Sequence, residues 1–153
     1  MSTSDLARLT DLYFAMWGRN LARTDEAEFI LTDDDLILDD WLQDALYEQP
    51  EELWKFILAV LERDERGKLL PVLSAGDLEN ILVLHGPAFI DRVEAQAKTD
   101  PRFATLLGGV WKRDMRDDIW ERVAAARDLR GWDGEPTPAD YWWKPRDVSG
   151  GDD

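Results

Sequence analysis

Hydrophobic residues recur at steps of three and four along most of the chain, and this spacing predicts amphipathic helices. The first predicted helix begins at Ser4 and ends near Arg23. The second begins with Asp34 or Asp35 as its cap and runs to about Tyr47. The apolar face of the second helix is formed by Leu38, Trp41, Leu42, Ala45 and Leu46. The third helix, residues 51–66, is apolar on more than one face and is therefore expected to be central.

Glycine, proline and capping residues divide the following stretch into shorter helices. Gly67 is expected to end the third helix as a left-handed cap. Ser74 and Asp77 resemble a capping box that opens a helix through Leu84. Gly86-Pro87 then predicts the end of that helix and the start of the next one.

The same signals continue toward the carboxyl end. Asp100-Pro101 predicts a short helix that ends on Gly108-Gly109, with Trp111 packing back on the core. A last long helix is expected to begin at the cap-like residues 114–117 and to run to about Arg130. No alternating strand pattern is present, so the chain is predicted to be all-α.

We therefore expect a single compact domain, residues 1–131, of about six to seven short antiparallel helices in an irregular αα-hairpin stack. Residues 132–153 form an aromatic tail rich in Gly and Pro. The tail is expected to pack partly on the helical body through Tyr141-Trp142-Trp143 and to fray at its end.

The charge of the chain is concentrated in one segment. The net charge is −15, and residues 24–54 contain 12 acids and no Lys or Arg. The remaining residues carry 21 acids against 18 bases. An acidic surface argues against direct contact with nucleic acid or an anionic membrane and favours a basic protein partner.

The composition and the absence of known motifs limit which functions are expected. With 0 Cys, the chain has no disulfide and no cysteine-ligated metal, and it fits a reducing cytoplasm. No apolar run is long enough to span a bilayer, and no secretory signal is visible. No cofactor motif is present, so no cofactor is expected.

Several motifs in the middle of the chain resemble an uncharacterised family of small acidic bacterial domains. They are Leu73-Ser-Ala-Gly-Asp-Leu-Glu-Asn-Ile-Leu, His85-Gly-Pro, Phe89-Ile-Asp-Arg-Val-Glu, Asp100-Pro-Arg-Phe, Leu107-Gly-Gly-Val-Trp and Asp118-Ile-Trp-x-Arg-Val. The resemblance covers residues 73–123 well and residues 50–64 loosely, with the acidic segment and the tail outside it. It implies a bacterial, helical, cytoplasmic protein and assigns no catalytic residue.

The only histidine supplies the weak enzymatic alternative. His85 lies near Glu79, Asp91 and Glu94 in sequence, and a carboxylate could orient it as a general base. The competing interpretation is a histidine that interacts with the end of its helix, which we favour. The clustered aspartates lack the Gly of a calcium loop. Weak Mg²⁺ or Ca²⁺ binding is the alternative to a solvated acidic helix face, which we favour, so no metal site is predicted.

A second group of charges, Arg92, Arg102, Lys112, Arg113 and Arg116, suggests either a small basic patch or ordinary surface salt bridges, and we favour the salt bridges.

Binding of a protein partner is the favoured function. The segment 24–54 is typical of a non-enzymatic inhibitor or immunity-type protein, bacterial or phage-related, that engages a basic protein. The predicted partner-binding residues are Asp33, Asp34, Asp35, Asp39, Asp40, Asp44, Trp41 and Tyr47. The alternatives are a small-molecule-binding protein or enzyme that uses the turn at His85, and an acidic domain whose charge serves only solubility.

Overall fold

The structure is a computed structural model that describes residues 2–21, 30–130 and 132. The described residues form helices and no strands, which confirms the all-α prediction. The chain divides into two compact units, residues 1–60 and residues 61–153. The predicted aromatic tail lies outside the described residues apart from Trp132.

The first unit contains α1 (Thr3–Leu21), α2 (Asp33–Glu48) and most of α3 (Pro50–Arg63). Its core is aromatic. The Phe56 ring meets Tyr13 edge-on at 5.2 Å between centroids and meets Trp41 at 5.4 Å. Edge-to-face and tilted geometries of this kind are favoured by the ring quadrupoles, so the three rings join α1, α2 and α3.

Caps in the first unit lie earlier than the sequence predicts. The Ser2 hydroxyl, and not Ser4, accepts a hydrogen bond from the Asp5 amide at 3.1 Å. Thr32, and not Asp34 or Asp35, is the N-cap of α2. Both corrections have one cause, because several small polar residues precede each helix and any of them can supply the capping oxygen.

The second unit begins with the end of α3 and a tight connection. Gly67 has φ of 69°, so the predicted left-handed residue is confirmed, although α3 itself ends at Arg63. The helix ends before its predicted last turn, and the next residue, Asp64, begins the connection. Its buried carboxylate accepts hydrogen bonds from the Lys68 and Leu69 amides at 3.0 and 2.8 Å. The carboxylate thereby satisfies two backbone amides of the connection that leads into α4. Burial nevertheless raises the pKa of Asp64 above its ordinary value.

The predicted capping box at Ser74 is wrong. The short α4 (Leu70–Val72) leads into a π-helical segment, Leu73–Leu78, which continues into α5 (Glu79–Thr99). The buried Ser74 hydroxyl donates a hydrogen bond to the Leu70 carbonyl at 2.7 Å, one turn earlier. Such a bond competes with capping, and it explains why a Ser-x-x-Asp pattern here does not begin a helix.

The predicted break at Gly86-Pro87 is a kink inside α5. The helix is continuous by its hydrogen bonds, but His85 leaves helical geometry, with φ of −129° and ψ of 23°. Pro87 removes one backbone donor and crowds the preceding turn, which accounts for the kink. A β-carbon on Gly86 would lie 3.0 Å from the Ile119 side chain, so the kink lies where α7 (Asp117–Ala126) packs closely against α5.

The short helix α6 (Pro101–Gly108) follows the prediction closely. The Asp100 carboxylate accepts from the Arg102 amide at 3.0 Å, and Gly109 is the C-cap. The last helix is shorter than predicted, because α7 begins at Asp117 and ends at Ala126.

The Gly108-Gly109 pair also has a role that the sequence did not indicate. Trp132, and not Trp111, covers it. The Trp132 indole donates to the Thr105 carbonyl at 2.8 Å, whereas Trp111 is 72% exposed. A β-carbon on Gly108 would lie 2.1 Å from the Asp128 carbonyl oxygen, and one on Gly109 would lie 2.6 Å from the Trp132 ring. Neither position has room for a side chain.

We predict that Gly108→Ala destabilises the protein, although Ala is the better helix former. The added methyl group overlaps backbone as well as the Trp132 ring, and we expect a loss of about 2 kcal/mol in the free energy of unfolding. Urea unfolding followed by circular dichroism measures the loss.

Gly18→Ala is the matched control, because no packed group lies within 4 Å of the position that a β-carbon would take at this point in α1. This variant should gain about 0.5–1 kcal/mol through helix propensity. Equal effects of the two substitutions would contradict the packing role of Gly108.

Candidate functional site

The acidic helix α2 begins with a reciprocal capping box. The Thr32 hydroxyl accepts from the Asp35 amide at 3.1 Å, and the Asp35 carboxylate accepts from the Thr32 amide at 2.9 Å. Two of the free amides at the helix start are satisfied in this way. The Asp35 side chain also accepts a hydrogen bond from the Arg19 guanidinium of α1.

Asp35 is therefore a structural residue and is not available to a partner. Its carboxyl group is buried, and burial raises its pKa, but the hydrogen bonds from Arg19 and the Thr32 backbone outweigh this effect. The net result is a pKa below the ordinary value of 3.8. The carboxylate stays ionised and keeps α2 attached to α1.

A second polar contact fixes the chain just before α2. The buried Asn20 amide donates to the Ile30 carbonyl at 2.9 Å, and its side-chain oxygen accepts from the Ile30 amide at 2.6 Å. Asn20 thus pairs with both backbone groups of one residue. Together with the Arg19–Asp35 pair, it determines where α2 starts relative to the end of α1.

The other five predicted aspartates of α2 remain on the surface. They are Asp33, Asp34, Asp39, Asp40 and Asp44, and all are exposed. Within the part of the chain that the structure describes, none of them forms an ion pair. No Lys, Arg or His occurs between residues 24 and 54, so α2 carries these charges without internal compensation.

The two predicted aromatic residues of this site have different positions. Tyr47 is 62% exposed on α2. Trp41 is half-buried, and its ring packs on Phe56 in the core of the first unit. Trp54, which also lies in the acidic segment, is buried. Tyr47 is therefore the exposed aromatic side chain of α2.

Sequence reasoning missed two apolar residues of the surface. Leu36 and Ile37 are 50% and 49% exposed, whereas Leu38, Ala45 and Leu46 are buried as predicted. The signal was present in the helical spacing. Successive residues turn by about 100°, so Leu36 and Ile37 lie about 160° and about 100° around the helix from Leu38, away from its buried face.

Glu79, one of the carboxylates near His85 in sequence, contacts the loop after α6. The buried Glu79 carboxylate accepts from the Trp111 amide and from the Arg113 guanidinium, each at 2.8 Å. The His85 ring lies against Phe89, with the ring centroids 6.4 Å apart. Glu79 thereby holds the loop after α6, where Arg113 adopts a left-handed φ of 44°.

The predicted carboxylates Asp91 and Glu94 face α7. Arg122 donates to Asp91 at 2.6 Å and to Glu94 at 2.9 Å, and these bonds raise the pKa of the guanidinium. An open groove of about 420 Å³ adjoins this cluster, and its lining residues do not include His85. They are Glu94, Ala97, Lys98, Arg122, Ala125 and Ala126.

The suggested basic patch consists of side chains that already have partners. Lys112, Arg113 and Arg116 pair with Asp117, Glu79 and Asp118, each at 2.8 Å. Arg102 pairs with Asp100 at 3.6 Å, and the Arg92 guanidinium lies over the Phe89 ring. The preference for local pairing over a basic patch agrees with these contacts.

The described residues contain neither a group of metal ligands nor a membrane span. Among them, no three His, Asp or Glu side chains are placed to hold a metal ion. None of the described helices is both long and apolar enough to cross a membrane.

We predict that Asp35→Asn destabilises the protein by about 2 kcal/mol at pH 7, because it removes a charge-assisted hydrogen bond from a buried site. The folded pKa lies below the unfolded value, so the carboxylate contributes fully above about pH 5 and its contribution is lost as the pH falls through the folded pKa. The stabilities of the variant and the native protein, measured by urea unfolding, should therefore converge as the pH falls below the folded pKa of Asp35.

Asp39→Asn is the control, since Asp39 is exposed on the same helix. It should change the free energy of unfolding by less than about 0.5 kcal/mol. A loss at Asp35 that is independent of pH would show that the ion pair is not its cause.

Comparisons with known proteins identify a family for most of this chain. The family model of DUF6869, a family of unknown function, matches residues 32–131. No significant similarity was found to curated proteins or to solved structures. The match begins at Thr32, the cap of α2, so it includes the acidic helix that the sequence motifs had placed outside the resemblance. Since the matched region is about two thirds of the chain, the protein belongs to this family of unknown function.

Proposed function

We propose that the protein is a non-enzymatic binding module that engages a basic protein partner through the acidic segment, of which residues 30–54 are described. An inhibitor or immunity-type protein of bacterial or phage origin is the class we favour. The observation that carries the proposal is the set of five exposed, uncompensated aspartates on α2.

Charge pairing elsewhere makes this surface unusual. In the second unit, basic side chains pair with neighbouring carboxylates, as Lys112 does with Asp117 and Arg122 does with Asp91. Acidic residues that merely confer solubility need no such segregation. Like charges gathered on one helix repel one another, and a basic partner relieves that repulsion while it is steered toward the site.

The enzymatic alternative has less support from the geometry. Glu79 and Asp91, the carboxylates proposed to orient His85, are hydrogen-bonded to Arg113 and Arg122. General-base catalysis requires a carboxylate and histidine that reach a substrate together. The groove that adjoins α5 and α7 is not lined by His85.

We predict that neutralising the exposed charges of α2 weakens partner binding. The test variant converts Asp33, Asp34, Asp39, Asp40 and Asp44 to Asn. The native protein, immobilised in a host lysate at about 50 mM salt, should retain a basic protein that elutes near 500 mM, because salt screens exposed charges. Affinity for that purified partner, measured by calorimetry, should fall at least about tenfold in the variant.

The matched control removes the same number of negative charges from positions outside α2. It converts Asp5, Glu62, Glu65, Asp114 and Glu121 to their amides, and all five are exposed. This control should bind within about threefold of the native protein, since none of the five acids lies on α2. Equal losses in the two variants would mean that net charge alone matters, and unchanged binding in both would contradict a role for the acidic segment.

A further inference from the structure

The solvent face of α2 is not purely acidic. Leu36, Ile37 and Tyr47 are 50%, 49% and 62% exposed, and all three belong to the helix that carries the unpaired aspartates. Exposed single apolar residues are ordinary on protein surfaces. Here three exposed apolar residues share one helix with the exposed aspartates. Their positions relative to those charges decide whether they form one surface.

Helical spacing places these residues on the same side. Asp33, Ile37, Asp40, Asp44 and Tyr47 follow one another at steps of four, three, four and three, which forms a single stripe along a helix. Leu36 lies one step of four before Asp40 and borders the stripe. At a rise of about 1.5 Å per residue, the stripe from Asp33 to Tyr47 is about 21 Å long.

The stripe is held by contacts on the opposite side of the helix. Leu38, Ala45 and Leu46 are buried, and the Arg19–Asp35 pair holds the first turn. A surface held in this way loses little conformational entropy when it binds. The face of α2 is therefore preorganised as one unit.

From this arrangement we propose that the solvent face of α2 is the docking surface of a basic, amphipathic helical segment of the partner protein. The apolar side chains of that segment cover Leu36, Ile37 and Tyr47, while its lysines and arginines face Asp33, Asp40 and Asp44. This proposal rests on the proposed function and adds that the partner binds through an amphipathic helical segment. Charge complementarity selects a basic occupant, and the interleaved apolar residues select an amphipathic one over a uniformly charged one.

Two synthetic peptides of about fourteen residues serve as probes, which matches the length of the stripe. One has leucine at helical spacing and lysine elsewhere, and the other has serine in place of every leucine. The two peptides have equal charge. By calorimetry at about 50 mM salt, the native protein should bind the leucine peptide at least about tenfold more tightly than the serine peptide.

The triple variant Leu36→Ala, Ile37→Ala, Tyr47→Ala should lose this preference while it keeps its affinity for the serine peptide. Alanine favours helix, so α2 should remain folded, and circular dichroism checks this. The matched control is Leu84→Ala with Trp111→Ala, which removes apolar surface that is 45% and 72% exposed in the second unit. The control should retain the preference for the leucine peptide.

The outcomes separate the two proposals. If the native protein binds both peptides equally, or if the triple variant keeps the preference, the amphipathic partner is wrong and the acidic surface still stands. The inference is also overturned if the control variant loses the preference for the leucine peptide and the triple variant keeps it. If neither peptide binds, or if the Asn variant of α2 binds both as well as the native protein does, the proposed function fails as well.

Discussion

The position of the acidic helix α2 depends on the buried carboxylate of Asp35. It completes the capping box with Thr32, and it receives the Arg19 guanidinium from the preceding helix. An ionised carboxylate in this position would be costly if either partner were removed, because its charge would be left buried without compensation. One aspartate therefore fixes the helix, and its neighbours Asp33 and Asp34 remain exposed at the surface.

Charged residues have different roles in the second unit and in α2. In the second unit, Glu79 holds Arg113 and the carboxylates of Asp91 and Glu94 hold Arg122, so charged groups there serve to connect elements. In α2, the acids other than Asp35 connect nothing among the described residues. Local pairing stabilises a fold only modestly at a surface, whereas uncompensated charge of one sign extends its influence into the solvent. This difference is the physical basis of the proposal that α2 binds a partner.

Features that depend on a few neighbouring residues could be predicted from the sequence. The Asp100-Pro101 start of α6, its end at Gly109 and the left-handed Gly67 follow from local backbone preferences. The buried face of α2 followed from spacing alone, and the same spacing contained the exposed Leu36 and Ile37.

Features that depend on distant partners could not be predicted in this way. The spacing of Thr32 and Asp35 fits a capping box, but the pairing of Asp35 with Arg19, which lies 16 residues earlier, could not be predicted from the sequence. Trp111 and Trp132 each lie shortly after a glycine, and only the fold shows which indole covers the Gly108-Gly109 pair. A local feature was also missed, because the Ser74 hydroxyl donates to the Leu70 carbonyl one turn earlier and does not cap a helix.

The family match begins at Thr32, whereas Arg19 and Asn20 lie before it. A protein trimmed to the matched region would keep the capping hydroxyl and the buried acid of α2 but would lose the guanidinium that neutralises that acid. The Arg19 and Asn20 contacts therefore connect α2 to a helix that lies before the family boundary, so the acidic helix depends on residues outside the matched region.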